Sequence, residues 1–239
     1  MKAFFGRETP LIFCNAPAAA EAAAARTGRG LLIWGTQAPE LAGLRVEDGL
    51  LRSRGLGADL VPPLSLIADD LGLYYDPARE SRLERHVRTP PPGGLARAER
   101  LRERIVALGL SKYNLPGTLP DLPEGHRILV PGQVEDDASI LCGTTEIRTN
   151  LELLRAARAA NPDAVLVYKP HPDVEAGLRP GAIDAAGLAD VVATGADAIA
   201  LILACEEVWT MTSLLGFEAL LRGKPVTTLG APFYAGWGL

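Results

Sequence analysis

Three polar turns, each following a short apolar run, carry the side chains in this chain best suited to chemistry. The run Val165-Leu-Val-Tyr168 ends abruptly in Lys169-Pro170-His171-Pro172-Asp173. It reads as a buried parallel strand that delivers a Lys and a His to its carboxyl end, where ligands bind in open α/β sheets. The two prolines stiffen the turn and forbid a regular helix there. A second turn, Pro131-Gly-Gln-Val-Glu135-Asp136-Asp137-Ala-Ser139, is acidic. A third, Trp209-Thr-Met-Thr212-Ser213, opens a helix. Each alone reads equally as a solvated turn or a plain helix cap, but three in one half of the chain point to one site.

The chemistry they suit is recognition of a phosphate and attack at a sugar. Hydroxyls and free amides at the start of a helix bind phosphate through hydrogen bonds and the helix dipole, so Thr212 and Ser213 could share one phosphate with Lys169 and His171. Glu218, five residues past Ser213, is either a ribose ligand or an exposed helical Glu. Glu47-Asp48 in the first half and Glu135-Asp136-Asp137 in the second are paired acidic turns. Across a cleft, two carboxylates can divide glycosyl transfer, one facing the anomeric carbon and the other taking a proton. No P-loop and no Gly-x-Gly-x-x-Gly after a strand occurs, which disfavours ATP hydrolysis and dinucleotide redox chemistry.

The elements that must hold these turns read as alternating strands and helices. In the first half, strands are expected at Leu11–Cys14, Gly30–Trp34 and Leu44–Glu47, with further apolar runs at Leu64–Asp69 and Gly72–Tyr75. Helices are expected from Pro17 to Arg26, from Pro39, from Ser81 to Arg88 with Ser81 as cap, and from Gly94 to Leu110. The Pro/Gly-rich stretch Tyr113–Gly125 reads as a hinge. In the second half, strands at Arg127–Val130, Ala164–Tyr168, Asp190–Ala193, Glu207–Thr210 and Pro225–Leu229 alternate with helices at Glu146–Ala160, Ala198–Cys205 and Leu214–Leu221. Alternation of this kind predicts right-handed βαβ units and parallel sheets. The expected architecture is α/β, with two Rossmann-like domains, 1–115 and 116–239, facing across a cleft.

Composition sets the outer bounds. The 239 residues are 48% hydrophobic and 22% charged, with a net charge of −5, which argues against general nucleic-acid affinity. Arginines are dense between Arg79 and Arg104 and read as a helical face first, a polyanion or acidic-lipid contact second. Cys14, Cys142 and Cys205 are odd in number and far apart, fitting reduced thiols in or near a core rather than a disulfide framework. Three His and three Cys never cluster, so no metal is expected. A signal-like N-terminus is not evident and no run approaches membrane-spanning length, which gives the expectation of a cytoplasmic protein.

Several segments together resemble the bacterial capsular polysaccharide β-Kdo transferase modules. They are Val46-Glu-Asp-Gly-Leu-Leu-Arg-Ser-Arg-Gly-Leu-Gly57, Pro63–Asp69, Gly72–Asp76, Ser81–Glu84, Val130–Ile140, Tyr168-Lys-Pro-His-Pro172, Thr212–Val226 and Phe233-Tyr-Ala-Gly-Trp-Gly-Leu239. The resemblance implies a sialyltransferase-like GT-B fold and a metal-free, retaining transfer of Kdo, an eight-carbon acidic sugar, from CMP-β-Kdo to a Kdo-primed glycolipid. It implies that Asp137 is the catalytic carboxylate, with Asp136 the near alternative, and that Glu47 is the acid/base facing the acceptor. Lys169, His171, Thr212 and Ser213 would take the CMP phosphate, Glu218 the ribose, and Gln133 would join the CMP-sugar group. Arg52 and Ser53 would contact acceptor or sugar. Implied partners are the CMP-sugar donor, the glycolipid acceptor and a capsule biosynthesis or export complex, with a peripheral location at the inner face of the inner membrane. Members of the family continue past the Gly-Trp-Gly-Leu motif, so truncation at Leu239 is expected, and a single module argues against bifunctionality. A different CMP-sugar transferase of sialyltransferase type, or an inactive glycan- or nucleotide-binding module, are the competing readings.

Overall fold

A run of buried apolar residues with no polar face needs cover on both sides, and Ile128, Leu129 and Val130 have it. They lie on the central strand of the larger of two sheets in a computed structural model describing residues 1–57 and 59–237. The first half comprises helices α1 (Lys2–Phe5) and α2 (Pro17–Thr27), strands β1 (Leu32–Trp34), β2 (Leu44–Asp48) and β3 (Leu66–Asp69), then α3 (Arg82–Arg88) and α4 (Gly94–Ala107). The second half runs β4 (Arg127–Pro131), α5 (Ala138–Gly143), α6 (Asn150–Ala160), β5 (Val165–Lys169), α7 (Pro172–Glu175), β6 (Val191–Val192), α8 (Ala198–Ala204), β7 (Glu207–Thr210), α9 (Leu214–Leu220) and β8 (Val226–Thr228).

The second-half sheet is parallel throughout, in the order β6-β5-β4-β7-β8. Ile128, Val130 and Leu166 face one core with Leu153, Leu154 and Ala157 of α6. Leu129, Val167 and Val208 face the other with Leu201 and Ile202 of α8. The chain leaves β4 toward β5 on one side and later returns to β7 on the other. The turns after β4, β5 and β7 therefore surround the point where strand order reverses, the crevice in which such sheets bind ligands. Helix α6 begins at Asn150 rather than Glu146, because Thr149 and Glu152 close a reciprocal capping box there. The prolines after β5 do not exclude helix: Pro172 occupies the first position of the one-turn α7, where a missing N–H costs nothing.

The first half departs further from expectation. Its sheet is mixed, β1 parallel to β2 and β2 antiparallel to β3, so the expected parallel Rossmann-like sheet is not what forms here. Leu11–Cys14 forms no strand, and Ile12 and Phe13 are exposed. The helix expected from Pro39 is a series of turns. The Arg45 guanidinium binds the carbonyls of Gly35, Gln37, Ala38 and Leu41, which serve the loop in place of helical hydrogen bonds. Gly72–Tyr75 is also a turn, since the Asp69 carboxylate takes the N–H groups of Leu71, Gly72 and Arg82 and pulls the chain out of the sheet. The Ser81 cap forms as expected, inside a capping box with Glu84.

Among the described residues the two sheets share no strand pairing. The connector is tied to both halves. Asn114 donates to the Ser53 carbonyl in the first half, and Thr118 pairs with Ala196 in the second. All three thiols are free, Cys205 buried and Cys142 half-buried, while Cys14 is exposed rather than near a core. Among the described residues, no helix is long and apolar enough to cross a membrane. Gly238 and Leu239, which end the Phe233–Leu239 motif, lie outside the described residues.

Candidate functional site

The three second-half turns meet the β2 end of the first half around one cavity of about 510 Å³. Glu47, Arg52, Gln133, Asp137, Lys169, His171, Thr212, Ser213 and Glu218 all line it; Asp136 and Ser53 do not.

The turn after β4 distributes its three carboxylates among three tasks. Glu135 accepts the Asn150 N–H at the start of α6. Asp136 points outward, exposed, in an ion pair of 2.6 Å with Arg179. Asp137 caps α5, with Oδ1 accepting from the Ser139 N–H at 2.9 Å and the Ser139 hydroxyl at 2.6 Å. Its Oδ2 has no protein partner among the described residues, which leaves one carboxylate oxygen open to the cavity. The near alternative, Asp136, thus stands off the cavity.

Gln133 holds two turns together. Its Nε2 donates to Thr212 Oγ1 at 2.9 Å and its Oε1 accepts the Thr212 N–H at 3.0 Å. Its own backbone is clamped by the Asn150 side-chain amide through bonds of 2.8 and 2.7 Å. Adjacent Gly132 admits no side chain, because a Cβ would stand 2.6 Å from the Tyr168 hydroxyl. The amide expected to touch the donor is therefore committed largely to fixing the Thr212 turn.

Lys169 and His171 differ in charge. Lys169 is 7% exposed and its burial lowers the ammonium's proton affinity. Burial, reinforced by the Lys112 charge, pushes the His171 pKa down to about 4. Its Nδ1 accepts the Asp173 N–H at 3.1 Å, so the neutral ring carries its proton on Nε2 and offers a donor rather than a second positive charge. Ser213 caps α9 by accepting from the Leu215 N–H at 3.2 Å. The Tyr234 hydroxyl donates to the Ser213 carbonyl and closes over Gly216, where a side chain would collide with it. Glu218 is neither exposed nor free. Its Oε1 accepts the Lys112 backbone N–H at 2.6 Å, and burial raises its pKa to about 7.

From the first half, Glu47 enters on β2. Its Oε1 accepts the Asp48 N–H at 2.8 Å, its Oε2 accepts from the Tyr75 hydroxyl at 3.1 Å, and burial raises its pKa. Arg52 is bound to Asp48 at 2.5 Å, to the Ser53 hydroxyl and to the Val61 carbonyl. Ser53 in turn donates to the Gly55 carbonyl. Both expected sugar contacts are thus occupied in building the loop after β2. Residues that sequence reasoning missed are Tyr74, Tyr75, Lys112 and Tyr113 in the lining, with Asn150 behind it. Only the Leu-Tyr-Tyr and Ser-Lys-Tyr-Asn clusters of polar aromatics marked them. Phe233 stacks edge-on against Tyr74 at 5.5 Å and tilted against Phe217 at 5.1 Å, joining the two halves beside the cavity.

Such a cavity offers an anion a cation, a neutral donor and a capped turn, with two carboxylates among its lining residues. A family model described as capsule polysaccharide biosynthesis protein matches residues 123–239. The chain is 49% identical over 203 residues to the capsule polysaccharide modification protein LipA of Neisseria meningitidis, covering 82% of this chain and 29% of LipA. It is 47% identical over 206 residues to the lipopolysaccharide-processing protein LpsZ of Rhizobium meliloti, covering 82% of this chain and 47% of LpsZ. It therefore spans less than half the length of these curated relatives. Among solved structures, the β Kdo 2,7 transferase of Thermosulfurimonas dismutans KpsC superposes with a TM-score of 0.75 at 38% identity, over 99% of this chain and 76% of that one. The β Kdo 2,4 transferase of the same KpsC gives 0.77 at 34% identity, over 87% and 70%. The chain belongs to the capsule polysaccharide biosynthesis family and shares the fold of its β-Kdo transferase modules.

Proposed function

We propose that the chain is a retaining glycosyltransferase moving Kdo from CMP-β-Kdo to a Kdo-primed glycolipid in capsular polysaccharide linker synthesis. One observation carries this reading: Glu47 and Asp137, from opposite halves, line one cavity with Lys169 and His171. Its arrangement is of GT-B type, with a division near residue 115 between an acceptor side and a CMP-sugar side.

In the first step the open Oδ2 of Asp137 attacks the anomeric carbon while the carbon–oxygen bond to phosphate breaks and CMP departs with the electron pair. Lys169, the His171 Nε2–H and the Thr212–Ser213 turn stabilise the charge developing on phosphate. In the second step the acceptor hydroxyl attacks the same carbon, Glu47 takes its proton, and the bond to Asp137 breaks. Two inversions give retention. Burial raises the Glu47 pKa, which makes its carboxylate a stronger proton acceptor than a solvated one. The reading needs no metal, since the protein's own donors meet the phosphate, and EDTA should leave turnover unchanged. A glycolipid acceptor would bring the protein to the inner face of the inner membrane, alongside a capsule assembly complex.

The test is CMP release from CMP-Kdo with and without a Kdo-primed lipid acceptor. Acceptor-stimulated release supports the reading. CMP-sialic acid turning over in place of CMP-Kdo, or CMP binding with no donor cleavage, would sink it.

A further inference from the structure

Four Lys and Arg side chains line the cavity, and two of them are committed. Arg52 is paired with Asp48 and Arg179 with Asp136. Lys169 serves the phosphate in the mechanism above. Lys112 has no assigned task, although no carboxylate of the described residues lies within 4.0 Å of its ammonium.

Its placement is well determined. The Lys112 N–H donates to Glu218 of α9, and its carbonyl accepts the Arg52 and Ser53 N–H groups at 2.9 and 3.1 Å. The backbone is thereby fixed from both halves, while the side chain stays available to the cavity. The ammonium lies 5.1 Å from the centre of the Tyr113 ring, whose face steers a cation without neutralising it. Tyr113 in turn meets His171 edge-on at 6.1 Å. The Lys112 charge bears on Glu47, His171 and Asp173. The charges that bear on Lys169 are instead those of Glu175 and Asp197. The cavity thus holds two ammonium groups, Lys169 at the end of β5 and Lys112 beside the Tyr113 ring that meets His171.

Two ammonium groups in one cavity, without a carboxylate partner among the described residues, match a donor with two anions. A 2-keto sugar acid linked to a nucleotide carries its phosphate and its carboxylate on the same anomeric carbon, and two cations balance that paired negative charge better than one. We infer that Lys112 is the specificity-determining contact for the carboxylate of the acidic sugar, a deepening that rests on the proposed transfer from CMP-Kdo. It tells such a sugar from neutral ones and holds the anomeric carbon between Asp137 and Glu47.

The experiment uses the full chain with Lys112→Met and Lys112→Arg. It measures CMP affinity by calorimetry, CMP-Kdo hydrolysis without acceptor, and the KM for acceptor. Lys112→Met should leave the CMP dissociation constant within about twofold and lower kcat/KM for CMP-Kdo hydrolysis by about ten- to a hundredfold, the size of a lost charge-assisted hydrogen bond. Lys112→Arg should restore part of that loss. An equal loss of CMP affinity makes Lys112 a phosphate ligand and overturns the assignment. So does a loss confined to the acceptor KM, which moves the carboxylate to the acceptor, and so does unchanged hydrolysis. If Lys112→Met fails to unfold cooperatively, Lys112→Gln carries the same comparison. A wild-type chain that neither binds CMP nor cleaves CMP-Kdo refutes the proposed function itself, a result separate from any difference between variants of an active chain.

Discussion

The two sheets contribute to one cavity by different means. The second half has a five-stranded parallel sheet buried on both faces, and its ligand turns are fastened to one another by Gln133 and Asn150. The first half has three short strands. Among the described residues, α3 buries no side chain and α4 buries Ile105 alone, while Leu95, Leu101 and Leu108 stay exposed. Its cavity residue Glu47 is aimed by neighbours, namely Tyr75 and the Asp48–Arg52 loop, rather than by a deep core. A group that must meet developing charge gains from preorganisation. A group that admits varied acceptors can tolerate a thinner support. The second-half side of the cavity is thus rigid by construction, and the first-half side is held by polar ties.

The sharpest way to break this contrast is at Asp137 and Glu47, the two carboxylates proposed to react. Asp137→Asn should lower transfer on the order of a thousandfold or more with CMP binding intact, because Asn caps a helix as well as Asp does and α5 survives. Glu47→Gln, on the thinner side, should spare the first step, so that a Kdo adduct on Asp137 accumulates and is seen by intact-protein mass spectrometry. An adduct mapped to Asp136 or Glu135, or normal turnover by Asp137→Asn, would reverse the division drawn here.

Next in size is donor affinity. His171→Ala should weaken CMP binding by about ten- to a hundredfold, measured by calorimetry. Unchanged affinity in a folded variant removes His171 from the donor side.

A smaller effect concerns the joint between the halves. The Glu218 pKa is raised to about 7 in the fold, above its unfolded value of about 4.5. The folded state then binds more protons between those values, so this group's contribution falls as pH rises from about 4.5 to 7 and is flat above. Glu218→Gln keeps an acceptor for the Lys112 N–H and removes that dependence. Relative to wild type, its unfolding free energy should improve by about 1–3 kcal/mol between pH 5 and pH 8. A difference that stays constant with pH would show that Glu218 titrates normally. Smallest of all, Asp136→Asn breaks an exposed pair worth about 0–1 kcal/mol and should change turnover by less than about twofold.

The same contrast governs what could be read in advance. The β4, β5 and β7 runs were legible because strands buried on both faces leave an uninterrupted apolar signature ending in polar turns, and that also exposed Lys169, His171, Thr212 and the acidic turn Glu135-Asp136-Asp137. The first half misled because apolar runs such as Leu11–Cys14 and Gly72–Tyr75 found no strand partner, and Arg45 and Asp69 organised the chain as turns. The tasks of Gln133 and Glu218 were hidden for another reason. Their partners, Thr212 and Lys112, lie 79 and 106 residues away in sequence, beyond any local pattern. Asp136 and Asp137 are adjacent and chemically alike, and only the α5 cap separates an outward carboxylate from an inward one.

The aromatic contact beside the cavity also makes the molecule its own optical instrument. Trp237 meets Phe233 edge-on at 5.7 Å and Phe217 at 6.2 Å, and Phe233 is the ring that touches Tyr74 of the other half. An indole so placed senses the polarity of that seam. Trp34 and Trp209 sit on β1 and β7, one in each sheet. Replacing both with Phe would leave a single emitter, whose wavelength and quenching by acrylamide follow any parting of the halves in real time, with no dye attached.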